Sequence, residues 1–489
     1  MTVRILDGER FDAEVEARAV RAAATAEAER VRGELTVARA AAERDLARAR
    51  AEADAARAEA ARVRELAGLP AASGHVTALT GLTIRARCPG VTVGELVTIA
   101  RTGWGEPRPP LPAEVVGFTD DDVVLMPLGE LAGVGPGAAV IATGGPLTFP
   151  CGPALLGRVI DALGQPLDGD AIDAPTWPIE RAAPSAIARP AITAPLVTGV
   201  RAIDGLCTLG RGQRLGLYAA AGVGKSTLLA QIAGAADADV IVLGLVGERG
   251  RELGDWLERL GPARARTVVV CAGSDAPSLA RVRAAFTATA VAEYFRDRGD
   301  RVLLLVDSLT RVARAQREVG LSAGEPPARH GYPPSVFALL PRLCERAGTA
   351  PVGDITAIYT VLVAGNDLDE PIADEVRSIV DGHLVLDRRL AGRGHFPPID
   401  VVASVSRLFP TLASRAQQDA AAVVRRHLAI HDEHRDLLAV GAYRPGGDRA
   451  LDLAVQRMPA IEAYLRQDRA ADGGLPATVD ALVTLAAAR

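Results

Sequence analysis

The spacing of apolar residues changes character several times along the chain, and each change predicts a different kind of element. From about Phe11 to Leu66 the residues are almost all Ala, Arg and Glu, with no proline and one glycine, Gly33. High helix propensity throughout predicts one long helix. Its larger apolar residues (Val15, Val20, Val31, Leu35, Leu46, Val63) recur irregularly, so no heptad seam runs along it and a solvated, charge-laced surface is expected. From "GLPAASG" to about Asp173 the pattern becomes short alternating or apolar runs broken by glycine and proline. The runs "HVTALTGLTIRA", "GELVTIA", "AEVVGFTDDDVVLMPL" and "GAAVIATG" predict a small β-barrel. A proline-rich connector follows, "APTWPIERAAPSAIARPAITAP". From about Leu196 to Phe409, continuous apolar runs alternate with helical stretches. "ADVIVLGLVG", "ARTVVVCAG", "DRVLLLVDS" and "ITAIYTVLV" read as strands of a parallel sheet buried on both faces. The remainder reads as helices interrupted at "GAYRPGGD". The expected division is therefore a helical arm (1–69), a β-barrel domain (70–173), a linker (174–195), an α/β domain (196–409) and a C-terminal helical domain (410–489).

Composition narrows the choices. Aromatic residues are 3% of the 489, against 49% hydrophobic residues in all, so the core must be built from Ala, Val, Leu and Ile. A formal net charge of −5 gives no general attraction to nucleic acid. Five scattered cysteines (Cys88, Cys151, Cys207, Cys271, Cys344) form no C-x-x-C pair, which speaks against disulfide frameworks and metal clusters and for a reducing compartment. The acidic start "MTVRILDGERFDAE" lacks a signal-peptide apolar region, and no run reaches the ~18 apolar residues of a membrane span. A soluble protein is expected.

The stretch "GLYAAAGVGKSTLLAQI", beginning at Gly216, carries the first chemistry. A phosphate-binding loop works because glycines let successive backbone N–H groups turn onto phosphate oxygens at a helix N-terminus. Ala219 stands where such loops usually open with glycine, and is tolerable there if its φ stays negative. Residues Ala221, Gly222, Val223, Gly224, Lys225, Ser226 and Thr227 form the binding set. Lys225 can reach the outer phosphates, and the Ser226 hydroxyl can ligate Mg²⁺. Asp307 ends the apolar run "VLLLVDS", where a carboxylate can serve the Mg²⁺ shell. Glu248 and Arg249 end "VIVLGLVGER", and Glu248 is positioned to polarise a water in line with the terminal phosphate. Elsewhere, Arg311, Arg314 and Arg317 read as an interface or solvated face, His431 and His434 as a polar helix surface, and Trp104 and Phe118 as too isolated to stack bases.

The segments "GVRAIDGLCTLGRGQRLGLYAAAGVGKSTLL", "GERGREL" and "LLLVDSLTRVARAQREVGLSAGEPPARHGYPPSVFALLPRLCERAG" closely resemble the type III secretion and flagellar export ATPases, cousins of the F-type ATP synthase catalytic subunit. The resemblance spans about Gly74 to Gln467, and relatives of this class often open the loop with alanine. It implies a RecA-like P-loop core in a homohexamer, with ATP at each subunit boundary. Lys225 and Ser226 would bind ATP and Mg²⁺, Asp307 would serve the metal, Glu248 would be the base and Arg249 would stand beside it. "GHFPPIDVVASVSRLF" looks like the segment carrying a trans-acting arginine, here Arg407. The implied function is a motor that couples ATP hydrolysis to chaperone release, unfolding and export of secreted proteins, at the cytoplasmic face of the bacterial inner membrane. Implied partners are chaperones, secreted proteins, a stator-type regulator and a central stalk protein; nucleic acid is not among them. The flagellar version of the same motor is the alternative. A hexameric RNA translocase would want basic and aromatic residues where "FTDDDVVLM" is acidic, and a non-catalytic rotary subunit would lack Glu248. Two features depart from the pattern: Ala364 and Asn366 replace residues that are often acidic, and "RILDGERFDAEVEARAVRAAATAEAERVRGEL" looks like the start of the stator-type regulator. No adenine-stacking side chain is identifiable from the sequence, since aromatics are few after Gln467.

Overall fold

The computed structural model describes residues 73–102, 108–119, 121–363, 368–468 and 474–488. The expected helical arm over 1–69 lies outside the described residues, as do Trp104, Ala364 and Asn366. The first described unit is a closed barrel of six antiparallel strands: β1 (Ser73–Thr80), β2 (Thr83–Arg87), β3 (Glu95–Ile99), β4 (Leu111–Thr119), β5 (Asp122–Pro127) and β6 (Ala139–Pro146). Their order is β1-β2-β5-β4-β3-β6, with β6 closing back on β1. Alternation explains the closure: Val97, Ile99, Ala113, Val115, Leu125 and Val140 point inward and are fully buried, which leaves the intervening polar residues outside.

The second unit is a mixed nine-stranded sheet with helices on both faces. Its strands are β7 (Val159–Ile160), β8 (Arg214–Ala219), β9 (Val240–Glu248), β10 (Thr267–Gly273), β11 (Arg301–Asp307), a short strand at Gly348–Thr349, β12 (Asp354–Leu362), β13 (Gly382–Leu386) and β14 (Ile399–Ser406). The path runs β14-β13-β8-β12-β11-β9-β10-β7, with the Gly348–Thr349 strand paired to β12 off this path. The pairs from β13 across to β7 are parallel, while β14 returns antiparallel on β13. Strands covered on both faces need unbroken apolar runs, which is what "VIVLGLV" and "VLLLV" supply.

The helices that concern the site are α1 (Arg201–Leu206), α2 (Lys225–Ala235), α3 (Gly250–Leu260), α4 (Ser278–Asp297), α5 (Leu309–Ser322), α6 (Pro334–Cys344), α7 (Pro371–Ile379) and α8 (Arg388–Gly392). In α4 an almost unbroken run from Ala284 to Arg296 is buried, so the helix is sheathed all round. Its alanines at 284, 285, 288, 290 and 292 let the sheet and α5 approach closely, which is how so aromatic-poor a core reaches close packing. One charge on α4 docks the barrel. The Arg283 guanidinium donates to Glu114 of β4 at 2.8 Å and also pairs with Glu180 of the connector.

The third unit contains α9 (Arg415–Glu433), α10 (Arg449–Leu465) and α11 (Gly474–Ala487). Ser414 and Asp448 cap the first two by accepting backbone N–H bonds. Gln417 of α9 fastens this unit to the core, its amide donating to the carbonyls of Asp204 and Gly205 at 3.1 and 3.0 Å. Among the described residues no helix is long and apolar enough to cross a membrane.

Candidate active site

Three strand ends converge at the carboxyl edge of the sheet. β8 ends at Ala219 and leads into the glycine-rich loop. β9 ends at Glu248, and β11 ends at Asp307. Ala219 is the last residue of its strand, is fully buried, and is absent from the positive-φ positions, so its methyl group costs nothing there. Gly222 and Gly224 adopt φ of 80° and 100°, the left-handed region that side chains disfavour. Gly224 then caps α2, whose first turn begins with Lys225, Ser226 and Thr227. The loop therefore presents backbone N–H groups at the positive end of a helix dipole, an arrangement suited to anions.

The Glu248 carboxylate is aimed by a bulge. The β9–β10 register slips between Val246 and Glu248, around Gly247 at φ 66°. A Cβ on Gly247 would lie 3.1 Å from Cδ of Arg311, so glycine lets that arginine pass close to the strand. The Arg311 guanidinium forms an ion pair with Glu248. Arg311 is thus turned to the site, correcting its reading as part of an interface or solvated stripe; β9 and α5 meet in a way that helical spacing alone does not encode. Arg249 is exposed at the start of α3 and forms no ion pair among the described residues.

Lys225 bridges the two acids. Its Nζ pairs with Asp307 and stands 3.8 Å from Oε1 of Glu248. Thr360 of β12 donates to Oδ1 of Asp307 at 2.8 Å. The other oxygen, Oδ2, is buried without a hydrogen-bond partner, as is Oγ of the adjacent Ser308. An orphaned carboxylate oxygen on a residue whose other oxygen pairs with Lys225, the first residue of α2, suits a hard cation held by oxygen ligands. Burial pushes the Glu248 carboxyl above its usual value and the facing Glu252 adds to this; Arg311 and Lys225 pull it down.

Beside the loop is a pocket of about 260 Å³ lined by Gly224, Thr227, Gln231, Phe396, Pro398 and Gln467. Phe396 is 50% exposed, and its ring comes within 4.0 Å of a Cβ built on Gly224. Its backbone is pinned by Gln467, whose N–H donates to the Phe396 carbonyl at 2.9 Å and whose side-chain amide donates to the Gly199 carbonyl at 2.6 Å. An exposed aromatic thus borders the glycine-rich loop from the hairpin before β14, ahead of Gln467. Its signal was an aromatic followed by two prolines in "GHFPPID", but only the fold brings that hairpin to the loop.

Arg407 stands apart. It follows β14, and its N–H bonds to the carbonyl of Asp381 at 3.0 Å, beside the first residues of β8 and β13. This is the opposite end of the parallel strands from the loop. The structure thus brings Lys225, Ser226, Glu248 and Asp307 together and leaves Arg407 exposed at the far edge.

Comparison with known proteins agrees with this geometry. The model of the ATP synthase alpha/beta family nucleotide-binding domain matches residues 199–406, and that of the T3SS EscN ATPase C-terminal domain matches 413–484. The chain is 52% identical over 398 residues to the flagellum-specific ATP synthase of Treponema pallidum, covering 81% of this chain and 88% of that protein. It is 50% identical over 416 residues to the type 3 secretion system ATPase of Xanthomonas euvesicatoria, covering 84% and 93%. The structure of the assembled ATPase EscN from the enteropathogenic E. coli type III secretion system superposes with a TM-score of 0.80 at 42% identity, over 85% of this chain and all of that one. The same ATPase in complex with its central stalk EscO gives 0.76. This chain belongs to the family of type 3 secretion and flagellum-specific ATPases and is an ATPase on the ATP synthase alpha/beta nucleotide-binding fold.

Proposed function

We propose that this ATPase drives type III protein export from a ring of six copies, with ATP bound between the glycine-rich loop of one subunit and Arg407 of the next. The observation that carries this reading is the separation just described. Base and loop share one edge of the sheet and Arg407 occupies the other, so a copy cannot bring its own Arg407 to its own phosphates. The assembled EscN relative supports a ring, and its complex with EscO supports a central stalk as partner.

Within one subunit, the N–H groups of Ala221 to Thr227 would cradle the phosphates of ATP, and Phe396 would carry the adenine ring. Lys225 would leave its acidic partners for the β- and γ-phosphates. Ser226 and Asp307 would hold Mg²⁺, which when bound neutralises charge on the phosphate oxygens. Lys225's departure frees Glu248 to accept the proton of the attacking water, while Arg311 keeps that carboxylate aimed. Arg249 borders the same water. From the neighbour, Arg407 would neutralise charge on the transferring phosphoryl group, a role worth ~10³–10⁵ in rate for comparable arginines.

Around this chemistry we place chaperone release, unfolding and export of secreted proteins, at the cytoplasmic face of the inner membrane. The sequence over 1–69 would act as a stator-like tether; truncation at Leu69 should leave ATP turnover intact and abolish recruitment to the export apparatus. The ring is tested by mixing. Glu248→Gln and Arg407→Ala should each be nearly inactive alone, yet co-assembled in equal amounts they should recover about a quarter of the interfaces, since each active interface needs one intact group from each parent. No recovery on mixing, or full activity of Arg407→Ala, refutes the trans assignment.

A further inference from the structure

Arg407 is exposed, and its guanidinium reaches the carbonyl of Arg377 only at 3.5 Å. Its placement therefore depends on the backbone beneath it, which is held from the interior by a buried amide. Gln213 immediately precedes β8 and is fully buried. Its Nε2 donates to the carbonyl of Asp381 at 2.9 Å and to Oγ of Ser406 at 3.2 Å, while its Oε1 accepts the N–H of Gly210 at 2.8 Å. The same Asp381 carbonyl receives the N–H of Arg407 at 3.0 Å. Ser406, the residue before Arg407, donates in turn to the carbonyl of Thr208 at 2.9 Å. One side chain thus ties together the three backbone segments that meet under Arg407: residues 208–213, the turn at 381–382 and the end of β14.

The junction leaves little room for adjustment. Gly382 has φ 153°, and a Cβ there would lie 2.5 Å from the carbonyl oxygen of Val405 and 3.4 Å from the backbone nitrogen of Arg407. The Gln213 amide uses its oxygen and both N–H groups, which fixes its orientation. Turned over, it would set an oxygen against the Asp381 carbonyl and an N–H against that of Gly210. Arg214 also binds Asp381, at 3.1 to 3.3 Å, but through the carboxylate and not the carbonyl on which Arg407 rests.

We infer that Gln213 is a positioning residue for Arg407, holding the turn and strand end from which that arginine reaches the neighbouring subunit's phosphates. This rests on the trans role of Arg407 proposed above. Gln213 stands at the opposite end of β8 from the glycine-rich loop, and none of its hydrogen bonds goes to the loop, Glu248 or Asp307. Its loss should therefore damage only the half of the site that a subunit supplies to its neighbour. A displacement of about 1 Å in a reacting group costs on the order of 100-fold in rate.

The test mixes full-length chains before assembly. Gln213→Leu keeps most of the bulk and removes the bonds. Its kcat should fall about 100-fold while ADP affinity by calorimetry stays within about twofold, because ADP lacks the phosphoryl group that Arg407 addresses. Co-assembled in equal amounts with Glu248→Gln, it should regain as much activity as the pair Glu248→Gln and Arg407→Ala, since Glu248→Gln supplies a well-placed arginine to the intact base of Gln213→Leu. Co-assembled with Arg407→Ala it should regain nothing, because both parents lack the same supplied group. Ser406→Ala removes one anchor and leaves the Asp381 bond; it should lose less kcat with the same pairing pattern, and it carries the test should Gln213→Leu fail to fold. Recovery with Arg407→Ala, recovery with neither partner, or wild-type turnover of both variants overturns the inference and leaves the trans role standing. No recovery in the pair Glu248→Gln and Arg407→Ala overturns the trans role itself, and the inference with it.

Discussion

Removing the Phe396 ring isolates what that side chain contributes. At 50% exposure it offers about 100 Å² of an aromatic that buries 150–250 Å² in all. A purine laid on one face would cover about half of that and lose a similar area itself, roughly 100 Å² together. At ~25 cal/mol per Å² this is about 2.5 kcal/mol, within the ~1–3 kcal/mol of base–aromatic stacking. Phe396→Ala should therefore weaken ADP binding by roughly 70-fold, and Phe396→Tyr should keep most of the affinity. Calorimetry with ADP is the assay, and inorganic tripolyphosphate is the internal control, because it engages the loop and Lys225 but has no base to stack. Equal losses for both ligands would mean that the substitution deformed the loop. Unchanged ADP affinity would mean that the ring does not carry the base.

Two further outcomes follow from buried charge. A protonated Glu248 cannot accept a proton, so turnover should fall as pH drops through its raised value, with the acid limb of kcat above the ordinary 4.5. Arg311→Ala removes a cation that lowers this value and should shift the limb to higher pH; a limb that stays put refutes Glu248 as the titrating base. In the core, Arg346 and Glu293 are 1% and 0% exposed and joined by two bonds of 2.9 and 2.5 Å. Arg346→Leu strands that carboxylate and should cost about 3–5 kcal/mol, a melting-temperature drop of roughly 6–20 °C, which the double change with Glu293→Leu largely restores.

The parts of this molecule that could be read from the sequence are those whose surroundings repeat. Parallel strands covered on both faces need continuous apolar runs, so "VIVLGLV" and "VLLLV" declared themselves, and their terminal acids, Glu248 and Asp307, came with them. The barrel showed through its alternation. What stayed hidden depends on one element meeting another at a single point. The slip at Gly247 is set by the passage of Arg311 from α5, and helical spacing placed that arginine on an outer stripe. Phe396 reaches the loop only because β14 folds back on β13 and Gln467 ties the hairpin down from the C-terminal unit. Thr360 orients Asp307 from a strand whose sequence reads only as core.

The distance between the loop edge and Arg407 has a consequence for economy in the cell. If the trans arrangement holds, a chain fresh from the ribosome carries fuel-binding parts but no complete combustion chamber, so unassembled copies can hold ATP without consuming it. Specific activity would then climb with protein concentration before levelling off, and the fuel would be spent where copies gather.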